Sequence, residues 1–235
     1  MQAALLREGD AAGAVPVTKQ IGSSHASGDI FRSVWARQNS TQEDHQQQLA
    51  VLRAVEEVLQ QQNISLSAAA YFAALLSTLD GHRSRSITAP LPESEEKATA
   101  AACALLGCVI PKAPRAVLHK KLRMSLEMLD ELAAAAAHSQ AIVKSAVQCK
   151  EQLLLIAASD SVDPSSMCKS AGALLPLCTD ARPKVRKRAL KSLATFLEAL
   201  AESPASQQRN YAFVCETIAK FTTEVLTLVN ARNES

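Results

Sequence analysis

Aromatic side chains make up only 3 per cent of this 235-residue chain, and it holds just 7 glycines and 9 prolines. Sandwiches and barrels need Gly-rich turns and many aromatic or β-branched strands, so an all-β fold is excluded. Excess charge of either sign is missing too: 25 Lys and Arg against 23 Asp and Glu leave +2. Any electrostatic function must then come from clustering. Long apolar runs are absent. The longest, Ala98 to Ile110, is interrupted by Thr99 and Gly107 and falls short of the roughly 20 residues that span a bilayer. The start MQAALLREGDAAGAV brings in Arg7, Glu8 and Asp10 before an apolar core forms, so neither a signal peptide nor a membrane partner is expected.

Signatures of chemistry are equally scarce. There is no P-loop, no G-x-S-x-G and no H-E-x-x-H. The six cysteines, Cys103, Cys108, Cys149, Cys168, Cys178 and Cys215, include no CxxC, and no histidine falls at ligand spacing from them. They read as small hydrophobes in helices, reduced in an intracellular protein. His25, His45, His82, His119 and His138 are scattered. Glu56–Glu57 are adjacent on a helix and do not face each other, and Glu93, Glu95 and Glu96 sit in a first turn, where they favour the helix dipole. No enzyme, metal, cofactor or small-molecule substrate is expected.

Alanine and leucine are abundant instead, and both favour helix. Residues 1–39, with GSSHASG, read as a mostly disordered tail, except that Phe31, Val34 and Trp35 have the spacing of a short docked helix. STQE at 40–43 has capping-box spacing for a first helix, with Leu49, Leu52, Val55, Val58 and Leu59 on one face and QQQN closing it. A second helix runs from 65 to 79 over Tyr71, Phe72, Leu75, Leu76 and Leu79, and DGHRSRS reads as a basic loop. Further helices are predicted over 93–110, from Pro114 (Leu118, Leu122, Leu126, Leu129, Leu132), over 140–158, from Pro164 to Cys178 with Asp163 as N-cap, over 183–200 and over 207–229. Eight helices with short connections fit a right-handed stack of antiparallel pairs better than one bundle with long crossovers.

The segment ALLPLCTDARPKVRKRALKSLATFL decides for the stack. An apolar helix end is followed by Asp180, Pro183, Val185 and Arg186, then Ala189, Leu193 and Leu197. That matches the HEAT unit, in which Asp and Pro make the turn and V-R opens the second helix. The fold expected over 40–230 is thus an all-α, armadillo-like solenoid. The chain ends on TLVNARNES just after a helix that should pack on a following unit, so 231–235 reads as a cut end of something longer.

Six of the ten residues from Arg182 to Lys191 are basic, with no acid among them. At about 100° per residue, Lys184, Lys187, Arg188 and Lys191 lie opposite the apolar face, and Arg186 lies at its edge. Arg186 is therefore read as structural, with Asp180 as its partner class. Arg115, Lys120, Lys121 and Arg123 form a similar stripe, with no acid before Glu127. If the two stripes share a surface they make a phosphate track; otherwise each is a solvated helix face. Exposed aromatics that would stack bases are lacking.

Two runs carry a closer likeness. L-x-x-V-x-E-V is present as Leu52, Val55, Glu57 and Val58, and is followed by Tyr71, Phe72, Leu75, Leu79 and Asp80. With ALLGCVIPKAPRAVLHKKL and LLPLCTDARPKVRKRAL in the same order, residues 30–200 resemble the N-terminal HEAT repeats of the ribosomal RNA-processing protein 12 family. The resemblance implies a nuclear and nucleolar scaffold acting in small-subunit ribosome assembly and export. Its implied partners are pre-ribosomal RNA or particles and assembly or export proteins. A protein-binding adaptor of the transport-receptor type, without RNA contact, is the other reading of the same fold.

Overall fold

The computed structural model describes residues 25–88, 91–160 and 164–202, together with positions 216, 219, 220, 223 and 227. Two short helices, α1 (His25–Ile30) and α2 (Arg32–Trp35), precede α3 (Glu43–Gln61), α4 (Ala68–Thr88), α5 (Glu93–Val109) and α6 (Arg115–Ala135). Then come α7 (Gln140–Asp160), α8 (Pro164–Gly172), α9 (Leu175–Cys178) and α10 (Pro183–Glu202). There is no strand among the described residues.

The apolar stripes read from the sequence are the packing faces. Tyr71, Phe72, Leu75, Leu76 and Leu79 of α4 are buried, as are Leu118, Leu122, Leu126, Leu129 and Leu132 of α6. Each such side chain is worth roughly 1.5–3 kcal/mol when fully buried. Phe31 and Val34 are buried as well, and the Phe31 ring meets Tyr71 edge-on at 4.9 Å. Val58 is the exception: it belongs to the expected face of α3 yet is 47 per cent exposed. Cys103, Cys149 and Cys178 are buried, and burial pushes the Cys103 thiol up to about 12. Cys215 lies outside the described residues.

The helices form two layers. In one, α3, α5, α7 and α10 pack side by side; in the other, α4 packs on α6 and α6 on α8. Across the layers α4 lies on α5, α6 on α7 and α9 on α10. By contrast α5 and α6 part at a tight 3₁₀ turn over Ile110–Lys112. The fold is an all-α solenoid of HEAT-like antiparallel pairs, and the pair boundaries fall after α3, α5 and α7.

Three local expectations need correction. DGHRSRS is not a loop but the last turns of α4. His82 and Ser86 point into the core there, and Asp80 braces the turn through Arg83 at 2.8 Å and its carbonyl through Ser84 Oγ at 2.9 Å. The capping box does not form: α3 starts at Glu43 with Gln42 at its N-cap, and Ser40 instead meets His45 and Gln46. The helix expected up to Cys178 is broken at Gly172, because the Pro176 ring would clash with the carbonyl four residues earlier. At the end of α3, Asn63 takes φ 54° and the amides of Asn63 and Ile64 bond the carbonyls of Gln60 and Leu59, a Schellman cap. Asp163, residues 1–24 and most of 207–229 lie outside the described residues.

Candidate nucleic-acid interface

Helix α10 is held by its turn. Val185, Ala189, Leu193, Phe196 and Leu200 are buried along one stripe. Arg186 donates to the Asp180 carbonyl at 2.8 Å, which is the structural role read for it. The Asp180 carboxylate, however, belongs to Arg182, whose Nε and Nη2 donate to it at 2.9 and 2.7 Å and whose amide does so at 2.8 Å. These bonds hold the Asp180 carboxyl below its ordinary value, against the opposing effect of burial. Arg182 Nη1 also reaches the Ala137 carbonyl at 2.6 Å, tying the turn to the α6–α7 connection. Sequence reasoning misses Arg182 as a structural residue, although Asp-x-Arg at the turn is a usable signal.

Arg188 needs a correction. The helical wheel puts it on the outward stripe, but it turns against α7 and pairs with Glu151 at 2.8 Å, with its side chain only 20 per cent exposed. Ser192 donates to the same carboxylate at 2.5 Å. A helical wheel of α10 alone cannot show an acid that a neighbouring helix supplies.

Lys184, Lys187 and Lys191 do face solvent and join no ion pair among the described residues. They sit at i, i+3 and i+7, so they share one face over about 10 Å. The first turn of α10 holds no acid. Cations there oppose the helix dipole, whose amino end is already positive. The arrangement works against the helix and concentrates positive potential at one spot.

On α6 the stripe is thinner than its sequence suggests. Arg115 pairs with Asp160 at 3.5 Å and Arg123 with Glu127 at 3.2 Å. His119 also meets Asp160, at 2.6 Å. Burial pushes the Asp160 carboxyl up, but His119, Ser159 and Arg115 outweigh it and leave the group low. Only Lys120 and Lys121 are exposed without an ion pair among the described residues.

The two stripes do not make one track. Arg182 places the start of α10 beside the start of α7, whereas Arg115 and His119 place the start of α6 beside its end. The α10 stripe runs on to the middle of α7, where Arg188 and Ser192 meet Glu151, but α6 and α10 belong to different layers. The acidic candidates are structural: Glu56 accepts from Tyr71 at 2.7 Å, and Lys97 bridges Glu43 and Glu93 at 2.7 and 2.8 Å.

With this turn, this layering and this helix rhythm in place, the comparison with family models is decisive. Residues 17–235 match the family described as RRP12-like, N-terminal HEAT repeats. The chain belongs to that family. No curated protein matches it, and no solved structure does. Membership makes the chain a HEAT-repeat region of a family associated with ribosome biogenesis and, at a coarse level, with pre-ribosomal particles. HEAT repeats generally serve as scaffolds without catalysis.

Proposed function

We propose that this chain is a non-catalytic scaffold that holds pre-ribosomal RNA or ribonucleoprotein during small-subunit assembly or export. The observation that carries the reading is the lysine stripe Lys184, Lys187 and Lys191 on the positive end of α10. Phosphates gain there from charge neutralisation, counterion release and the dipole together. Arg182, Arg186 and Arg188 serve a different purpose: they fix the helix that presents the lysines. Recognition of this kind tracks the backbone and carries no base readout. Assembly and export proteins are the second class of partner, and the nucleolus is the expected site of action.

The test is sedimentation of the tagged chain in nuclear extract, with K184E/K187E/K191E beside the wild type at equal helicity. Wild type running with pre-ribosomal particles and the variant running free supports the reading. Neither protein entering the particles overturns it, and so does co-sedimentation of both. A labelled single-stranded RNA oligomer gives a second readout: the variant should lower the salt slope by about 2, from three phosphate contacts at about 0.7 each.

A further inference from the structure

Among the described residues, four large apolar side chains are exposed: Val58, Ile64, Met124 and Leu190. Singly such residues mean little. Here Val58 and Ile64 line a groove of about 610 Å³ between α3 and α4. Met124 lines a second groove, of about 260 Å³, between α4 and α6. Ala73 and Ser77 of α4 belong to both. The two grooves are therefore neighbours across a low ridge of small side chains, where another backbone can come close.

The layering indicates the shape that fits. Helix α4 lies on α5 and beside α6, and α6 in turn lies on α7 and beside α8. One unit earlier, the same position lies on α3 and beside α4, and that is where the larger groove runs. The short helices α1 and α2 touch α4 and α3, but none of their described residues lines this groove. A helix is the occupant this geometry is built for.

Charge selects its flank. Among the described residues, no charged one lines the α3–α4 groove. Among its described lining residues the α4–α6 groove carries one of each sign, Asp80 and Lys121. Asp80 is held by Arg83, which also pairs with Glu131. Lys121 and the adjacent Lys120 are exposed and join no ion pair among the described residues. The charge left to meet a partner is positive.

We infer that the α3–α4–α6 face docks an amphipathic helix of a partner protein, its apolar side in the two grooves and its carboxylates against Lys120 and Lys121. This site is separate from the α10 lysines and does not depend on them. The K184E/K187E/K191E variant should therefore bind such a helix as wild type does.

The experiment uses the full chain and a labelled synthetic amphipathic helix of about 18 residues. Its apolar positions are Leu at i, i+4, i+7 and i+11, and its flanks are Glu in one peptide and Lys in a second. The Glu peptide should bind at least about tenfold tighter than the Lys peptide. Met124→Glu should weaken the Glu peptide by a similar factor, and Lys121→Glu should reverse the order of the two. Circular dichroism checks each variant; Lys121 is exposed, so Lys121→Glu decides the matter if Met124→Glu fails to fold. Equal binding of the two peptides, or binding indifferent to both substitutions, overturns the proposal. Peptides that do not bind, while an RNA oligomer binds and is lost on Lys121→Glu, give the face to nucleic acid and overturn it as well. Self-association that Met124→Glu abolishes, without peptide binding, gives the face to a second copy and likewise overturns it.

Discussion

Asp180 is the acceptor on which the α9–α10 turn converges. The guanidinium and amide of Arg182 bond its carboxylate and Arg186 bonds its carbonyl, so replacing the side chain leaves the part-buried Arg182 donors unsatisfied while the Arg186 bond survives. Asp180→Ala should cost about 1–3 kcal/mol in urea unfolding. Because Arg182 holds the Asp180 carboxyl below the ordinary 3.8, its contribution is complete above that value and is lost as pH falls through the lower folded value. Asp180→Asn should therefore flatten the acid limb of a stability profile below pH about 4. Lys150 is a different case, an ammonium 1 per cent exposed and paired with Asp130. Burial pushes its pKa down, and Asp130 opposes that. Breaking such a pair by Asp130→Asn should cost about 3 kcal/mol, while Lys150→Met with Asp130→Leu should recover most of it. A double-mutant cycle measures the difference, and equal losses in both variants would contradict it. Arg186 was legible because its motif fixes its partner within six residues. Arg188 was not, since Glu151 lies 37 residues away and only packing brings it close.

At the scale of elements, α4 is the instructive case. Asp80, Gly81, Ser84 and Ser86 look like loop residues by propensity. The helix continues because His82 and Ser86 follow Leu79 on the buried side, and packing overrides the weak local preference. Gly81 then sits inside a helix, and a Cβ built there meets nothing within 4 Å. Gly81→Ala should raise stability by about 0.5–1 kcal/mol, read as a shift in the urea midpoint at unchanged m-value. A loop at this position would give little or no gain, so the measurement also decides between the two local structures. The apolar faces of α4, α6 and α10 were legible because each is a strict helical period in one segment. The α3 start and the α8–α9 break were not. Both depend on choices among competing caps and on one proline, which periodicity does not weigh.

For the whole molecule, the sequence order of helices identified a stack but not its phase. Nothing in ALLGCVIPKAPRAVL says that α5 turns away from α6 and lies on α4 instead. That phase puts the two basic stripes in different layers, and it separates the candidate phosphate surface from the candidate helix-docking face. It also ranks the helices by support. Helix α7 is packed on α5, α6, α8 and α10, whereas among the described residues α3 has neighbours in its layer on one side only. In a stack whose units contact only their neighbours, opening propagates from the least supported unit. Native-state hydrogen exchange should therefore show the slowest amides in α5 and α7 and faster exchange in α3. The lysines of α10 lie at the outer surface of this gradient and take no part in the packing of α7. K184E/K187E/K191E should leave protection of α5 and α7 unchanged while abolishing sedimentation with particles. Loss of protection in α7 would mean that the variant fails by unfolding and that the three lysines are structural after all.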